Sequence, residues 1–462
     1  MLNNEWEAAR WVASHLPNPL AKRPDTWMRF TDRWRPVDES EVISVVAQTI
    51  DRRVAEIDAR LREVDDKDYL QSERKKLQSY LGAQRLRNLM FLMASVMRDD
   101  REWDALPHSW PAADCLVDLA VGSTEIHRAE KLLSKYSGVK YDGRARAPRW
   151  ATFLREIQSN DDEMIDYLQR AVGYSMTGLI NEQVLFILYG SGANGKNLFL
   201  EVLYELFGQL GYQTSFRVLE RASGGETSPG AASPHLAAFQ GKRFIMASES
   251  VEGSSFNDGL VKSLTGDGQI TARGLFQSES VFRNTGKFWL ACNNMPRVSD
   301  VTPGFWRRLH IVPFLASFSG DSRDLFLKDK LLAELPGVLN WALAGARRWY
   351  EIGLRPPRAV ANAVAQYRGV SDPIGGFLED CCRIHAAVWA PKVGLYTAYK
   401  EYAKDDATVR PLSRDKFYTV VRNHGFDDTR VDNTRVFKGL CLRRDVPKFP
   451  VTQEELAATA AA

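Results

Sequence analysis

The chain is poor in cysteine, and its five cysteines form no metal-binding pattern. Cys115, Cys292 and Cys441 stand alone and Cys381-Cys382 are adjacent. Without a Cys-x-x-Cys pair the sequence argues against a zinc ribbon and against a disulfide framework, which suits a reducing compartment. Long apolar runs are missing too: none approaches the roughly 18 residues of a membrane span, and the first residues carry no signal-peptide pattern. Charge of one sign is also lacking. The formal net charge is +3, so contact with nucleic acid must be made by local patches rather than by the whole surface. These absences together predict a cytoplasmic protein without a membrane partner.

What is present is a chain of 462 residues, 44% hydrophobic and 26% charged, long enough for two to four domains with cores of their own. The most informative stretch is Gly190-Ser191-Gly192-Ala193-Asn194-Gly195-Lys196-Asn197, followed by Leu198. An apolar run, residues 184–189, precedes it and reads as a buried strand; residues 198–204 read as the start of a helix. Strand, glycine loop and helix make an anion cradle, because glycines let successive N–H groups point at phosphates and the helix N-terminus adds partial positive charge. Lys196 is placed to reach the β- and γ-phosphates of ATP, and Asn197 stands where Ser or Thr usually binds Mg²⁺. Its side-chain carbonyl is the expected substitute ligand. The plain alternative, a glycine-rich turn, does not account for a lysine at a helix start.

Three further segments complete a candidate motor. Residues 242–249 run from basic through apolar to Glu249, an acid at a strand end suited to Mg²⁺ and to polarising water. Ser248 precedes it where many ATPases carry Asp, so Glu249 serves both roles unless His235 or the next segment helps. A strand over residues 288–292 ends on Asn293-Asn294, and Asn293 is placed to orient water at the γ-phosphate. The third is Phe305-Trp306-Arg307-Arg308, whose arginines suit phosphate oxygens because they donate in pairs and stay charged. Each has an ordinary reading as well: a solvated Glu, an Asn turn, a surface ion-pair arginine.

The order of these pieces resembles the phage and plasmid primase-helicase family, a branch of the superfamily 3 helicases with poxvirus members. Its pattern is met by Asn194-Gly195-Lys196, Ala247-Ser248-Glu249, Leu264-Thr265-Gly266 with Ile270-Thr271-Ala272-Arg273, then Asn293 and Trp306-Arg307-Arg308. The resemblance implies an α/β AAA+-like P-loop ATPase core with an N-terminal helical domain and a C-terminal winged-helix domain. It implies a homo-hexameric ring that uses ATP and Mg²⁺ to move on single-stranded DNA during replication of a phage, plasmid or integrated element in a bacterial host. It further implies an arginine, Arg307 or Arg308, acting on the neighbouring subunit's nucleotide. In the hairpin after Arg273, Leu275 and Phe276 are suited to stack on bases and Gln277 lies at the tip, where relatives often carry lysine; Arg273 and Arg283 are suited to phosphates.

The boundaries this suggests are a helical collar over residues 1–178, the ATPase core over 179–345, a helical linker over 346–376, a winged helix over 377–448 and a disordered tail over 449–462. Within the first, Ile50, Val54, Ile57, Leu61 and Val64 make one apolar stripe, and residues 161–177 form a second helix leading into the loop strand. Residues 223–230 read as a surface loop. In the last domain Ser413 caps a helix that ends at Gly425 and carries Arg414 and Lys416. Two short strands, residues 434–437 and 440–443, are expected to be joined by Lys438-Gly439. Arg435 and Lys438 lie there with Arg430, Arg443 and Arg444, a cluster suited to duplex DNA at an origin. The first hundred residues read as helical and show no arrangement of paired acids on strands with a His, as a primase needs; Asp65-Asp66 and Asp99-Asp100 read as solvated pairs, and the expectation is a helicase served by a separate primase or other replication proteins. The competing reading is a nucleotide-switched DNA-binding initiator or clamp with little turnover. A ring ATPase in element defence is a third.

Overall fold

The computed structural model describes residues 4–64, 67–221, 233–248, 253–273, 279–298, 302–318, 324–372, 374–405 and 411–445. Its centre is a five-stranded sheet of β1 (Leu185–Tyr189), β2 (Gly211–Ser215), β3 (Phe244–Ser248), β4 (Lys287–Cys292) and β5 (Leu309–Pro313). The spatial order is 5-1-4-3-2 and every neighbouring pair is parallel. Parallel strands buried on both faces read as unbroken apolar runs, as β1 and β4 do. Alternate residues divide between two cores. Phe186, Leu188, Phe244, Met246 and Trp289 face one, while Leu185, Ile187, Ile245, Ala247 and Leu290 face the other.

The first of these cores reaches well outside the sheet. It takes in Trp110 and Val117, Trp150 and Phe153 of the helix Pro148–Ile157, and Tyr167, Leu168 and Ala171 of the helix Asp162–Met176. The segment from about residue 110 to 176 thus packs as part of the sheet domain. Helix Asp162–Met176 also lies against helix Leu335–Ile352 at backbone contact. A Cβ on Gly173 would stand 2.0 Å from Ala346 N, and one on Gly345 2.0 Å from Gln169 O. Only glycine permits that approach.

Two buried cations tie residues 106–110 and 176–179 to the sheet's amino-terminal edge. Arg243 donates to Ser109 O at 2.7 Å, Met176 O at 2.6 Å and Leu106 O at 2.8 Å. Lys287 donates to Thr177 O, to Thr285 O at 2.8 Å and to Leu179 O at 3.3 Å. Burial lowers the Arg243 pKa to about 10 and drives that of Lys287 well down.

Residues 5–97 build a separate core from helices Glu5–His15, Glu39–Arg60, Asp68–Ser79 and Ala83–Val96. This unit is not wholly helical, as the sequence suggested. Strands Leu20–Lys22, Trp27–Phe30 and Trp34–Val37 form an antiparallel sheet within it. Strands of three and four residues are too short for a period of two to be legible. Ile50, Val54 and Ile57 are buried, but the helix stops at Arg60 and Val64 is exposed.

The C-terminal unit has helices Gly375–Cys381, Lys392–Asp405 and Arg414–Asn423 against a three-stranded antiparallel sheet. Here the expected turn was misplaced. Residues 434–442 form one strand, Thr434–Leu442, paired with Asp427–Val431 and with Cys382–Pro391. The two-residue hairpin loop is Asp432-Asn433, at φ 44° and 63°. Asp and Asn tolerate that region and match a type I′ turn, whereas Lys438-Gly439 lies inside the strand. Ser413 occupies the N-cap position without a side-chain capping bond, and Gly425 follows the helix at φ 90°.

Candidate functional site

The glycine loop leaves β1 at the carboxyl end of the sheet and turns through three residues of positive φ, namely Gly192 at 101°, Ala193 at 47° and Gly195 at 82°. Helix Lys196–Phe207 begins directly on Gly195, with no side chain capping it, so its first N–H groups face the loop. Asn194 is folded beneath the loop, 2% exposed, and donates to Phe314 O at 3.2 Å. A Cβ on Gly190 would collide with that amide at 2.1 Å, which fixes glycine there. A Cβ on Gly192 would meet nothing, leaving open space above the loop. Ser191 and Asn197 are exposed and Leu198 is half-buried.

Lys196 is 4% exposed. Its Nζ donates to Gly190 O at 3.2 Å, Asn194 Oδ1 at 3.4 Å and Asn293 Oδ1 at 2.6 Å. The last bond follows from sheet order. β4 lies beside β1 with Cys292 opposite Tyr189, so Asn293 and the loop emerge side by side. The neighbouring Cys292 thiol, pushed up to about 12 by burial, stays protonated. β3 ends at Ser248, with Ser248 opposite Ala291; Glu249 lies outside the described residues.

These groups open onto a cleft of about 800 Å³. Sequence reasoning missed much of its lining. Arg149, Phe153 and Glu156 come from helix Pro148–Ile157, Glu201 from the loop helix, and Phe318, Asp324, Leu325 and Lys328 from the chain after β5. No motif marks them, because they meet the loop only through folding. Glu201 alone carried a signal, lying four residues after Asn197 on one helix.

The arginine pair is not brought to this cleft. Leu309 starts β5 opposite Leu185, at the amino end of β1, so Arg307 and Arg308 lie a strand's length, about 13 Å, from the loop end. Arg307 donates to Gln183 Oε1 at 2.8 Å; Arg308 donates to Thr265 Oγ1 at 3.1 Å and to Gly304 O. His235 is exposed on the short helix Pro234–Ala237, outside the cleft lining.

Between β3 and β4 the hairpin Gln269–Arg273 with Glu279–Arg283 separates the two arginines assigned to it. Arg273 pairs with Glu279 next to the tip, whereas Arg283 pairs with Gln269 at the base. Leu275, Phe276 and Gln277 lie outside the described residues, as do residues 223–230 and 449–462. In the C-terminal unit Arg414, Lys416, Arg435 and Lys438 are all exposed, and Arg430 stands directly opposite Arg435 across the hairpin.

The loop and buried Lys196 fit a polyphosphate. A metal would find few protein ligands: among the described residues no group of three or more His, Cys, Asp or Glu could hold an ion. Asn197, exposed at the helix start, offers a side-chain carbonyl there, and an ion that keeps its waters and substrate phosphates needs few protein ligands. No helix among the described residues is long and apolar enough to cross a membrane.

A parallel α/β sheet with a glycine loop at its carboxyl edge defines a P-loop-like core. Comparison with known proteins takes this further. The D5 N terminal like family matches residues 10–159, and a family of unknown function (DUF5906) matches residues 188–308. A "Putative helicase" of Acanthamoeba polyphaga mimivirus is 31% identical over 245 residues, covering 49% of this chain and 25% of the relative. One from Frog virus 3 (isolate Goorha) is 22% identical over 327 residues, covering 67% and 33%. The chain thus spans about a quarter to a third of the length of these curated relatives. Two apo structures of the NrS-1 C-terminal region share the fold at 11% identity. One has a TM-score of 0.53, covering 94% of this chain and 99% of that one; the other has 0.51, covering 93% and 98%. The family matches and the putative helicase relatives support a phage-type superfamily 3 primase-helicase family for this chain.

Proposed function

We propose that this chain is an ATP-dependent DNA helicase or translocase that works as a ring, expected to be a hexamer, in replication of a phage, plasmid or integrated element. The observation that carries the reading is the bond from buried Lys196 to Asn293, which joins the phosphate-binding lysine to a polar group at the neighbouring strand's end. A bare phosphate-binding loop has no need of that second group. In this reading the loop, from Gly190 to Leu198, holds the phosphates of ATP; Lys196 neutralises charge on the β- and γ-phosphates, and Asn293 senses the γ-phosphate. Asn197 and Glu249 hold Mg²⁺, which supplies charge neutralisation on the phosphates when bound. Glu249 also orients the attacking water.

Arg307 or Arg308 acts on a neighbouring copy's nucleotide, and their distance from the loop of their own chain supports that role. Arg273, Leu275, Phe276, Gln277 and Arg283 are assigned to single-stranded DNA. The C-terminal unit is read as a winged helix that places Arg414, Lys416, Arg435 and Lys438 on duplex DNA. Arg430 opposite Arg435 supports this, since like charges directly across a hairpin are unfavourable unless an anion offsets them. Asn197 in the usual hydroxyl position favours a second reading, a nucleotide-switched initiator or clamp.

ATP hydrolysis by the purified protein, with and without single-stranded DNA and alongside Lys196→Ala, tests both. DNA-stimulated turnover that the variant loses is the expected result. Nucleotide binding without turnover, even with DNA present, leaves the clamp.

A further inference from the structure

The cleft over the loop is charge-balanced before any nucleotide arrives. Its basic residues are Arg149, Lys196 and Lys328, and its acidic ones are Glu156, Glu201 and Asp324. Asp324 is itself paired with Lys330 at 2.7 Å, and a polyphosphate adds more negative charge than one Mg²⁺ offsets, so a cation that changes partner improves the match. Lys196 already faces the loop. Arg149 is held by Glu156 of its own helix, both terminal nitrogens at 3.0 Å from one oxygen.

Lys328 is held differently. It bonds Glu201 at 2.7 Å, and Glu201 lies on the loop helix four residues after Asn197, so the two share a helix face. The pair therefore bridges the helix that starts at the loop to helix Leu327–Ala333. The chain before that helix is itself tied to the loop, since Phe318 N donates to Ala193 O at 2.7 Å. Side chains of Lys328 and Glu201 are 50% and 42% exposed, so water screens their attraction and exchange of partner costs little. A nucleotide phosphate offers several acceptor oxygens at fixed positions and is the stronger partner for an ammonium group.

We propose that Lys328 is a further nucleotide-contacting residue, which leaves Glu201 for the phosphate chain of a nucleotide seated on the loop, and that Glu201 holds it when the loop is empty. The inference rests on the P-loop reading above. Titration of the full chain with a fluorescent ADP analogue, comparing wild type, Lys196→Ala, Lys328→Met and Glu201→Gln, tests it. Lys328→Met is expected to weaken binding about tenfold, the loss of one charge-assisted contact. Glu201→Gln is expected to tighten it about threefold by releasing the lysine.

A merely structural tie would make both variants weaken binding, and that result overturns the proposal, as does wild-type affinity in Lys328→Met. Wild-type affinity in Lys196→Ala would instead remove the P-loop reading itself. Should Lys328→Met not fold, the sign of the Glu201→Gln effect decides alone: tighter supports the proposal, and unchanged or weaker overturns it.

Discussion

Lys196 and Asn293 stand 97 residues apart in sequence and 2.6 Å apart in space, with the lysine ammonium donating to the asparagine carbonyl. The bond exists because β4 inserts beside β1 in the sheet. It holds the lysine in the direction of Gly190 O and Asn194 Oδ1.

Asn293→Ala is therefore expected to leave nucleotide binding within a few-fold of wild type and to lower the rate of hydrolysis about 100-fold, the usual cost of one positioned polar group at a reacting phosphate. Steady-state turnover set against equilibrium binding of the same nucleotide checks the split. Equal losses in both would return Asn293 to a purely structural role.

The arginine pair leads to a mixing experiment. Arg308 is engaged within its own chain with Thr265 and Gly304, while Arg307 is exposed and bonded to Gln183. Arg307→Ala and Arg308→Ala are each expected to keep ATP binding and to lower hydrolysis, Arg308→Ala with some loss of stability besides. If the arginines act between copies, mixing either variant with Lys196→Ala restores turnover, because some interfaces then join an intact loop to an intact arginine. Loss of ATP binding in Arg308→Ala would count against the assignment.

Arg243 gives a prediction on stability. Its guanidinium, 3% exposed, serves three carbonyls on two segments. Arg243→Met leaves those acceptors buried without a donor and is expected to cost about 3 kcal/mol. Arg243→Lys should recover only part, because one ammonium cannot span the same fork. Urea unfolding midpoints of the three proteins give the comparison.

His310 gives a prediction on pH. Burial lowers its pKa from 6.5 to about 4, and its Nδ1 lies 2.5 Å from the Tyr167 hydroxyl. The unfolded chain binds a proton at this residue below its ordinary pKa, while the folded chain resists until about pH 4. Unfolding is thus favoured progressively as pH falls from about 6.5 to about 4, with no further contribution below. Melting temperatures over that window should fall less steeply in His310→Phe than in wild type.

Much of the site was legible because its signal is local. A glycine loop between an apolar strand and a helix is chemistry written in consecutive residues, as are the apolar runs that became β1, β3 and β4. The short strands near Trp27 and Trp34 were not legible, since three or four residues hold too little periodicity. The expected turn at Lys438-Gly439 rests on glycine as a turn signal; Gly439 does take a positive φ of 91°, but inside the strand, and the chain reverses at Asp432-Asn433.

The sequence by itself determined which residues can cradle a phosphate, since the backbone freedom of Gly190, Gly192 and Gly195 and the charge of Lys196 belong to those residues wherever they fold. Only the tertiary structure decided what surrounds them. The strand order brings Asn293 to Lys196 and carries Arg307 and Arg308 to the far end of the sheet. Helix packing brings Arg149 and Lys328 to the cleft, across gaps of 47 and 132 residues from Lys196. Such contacts join segments whose spacing along the chain carries no period, so they exist only once the sheet and its helices have closed on one core.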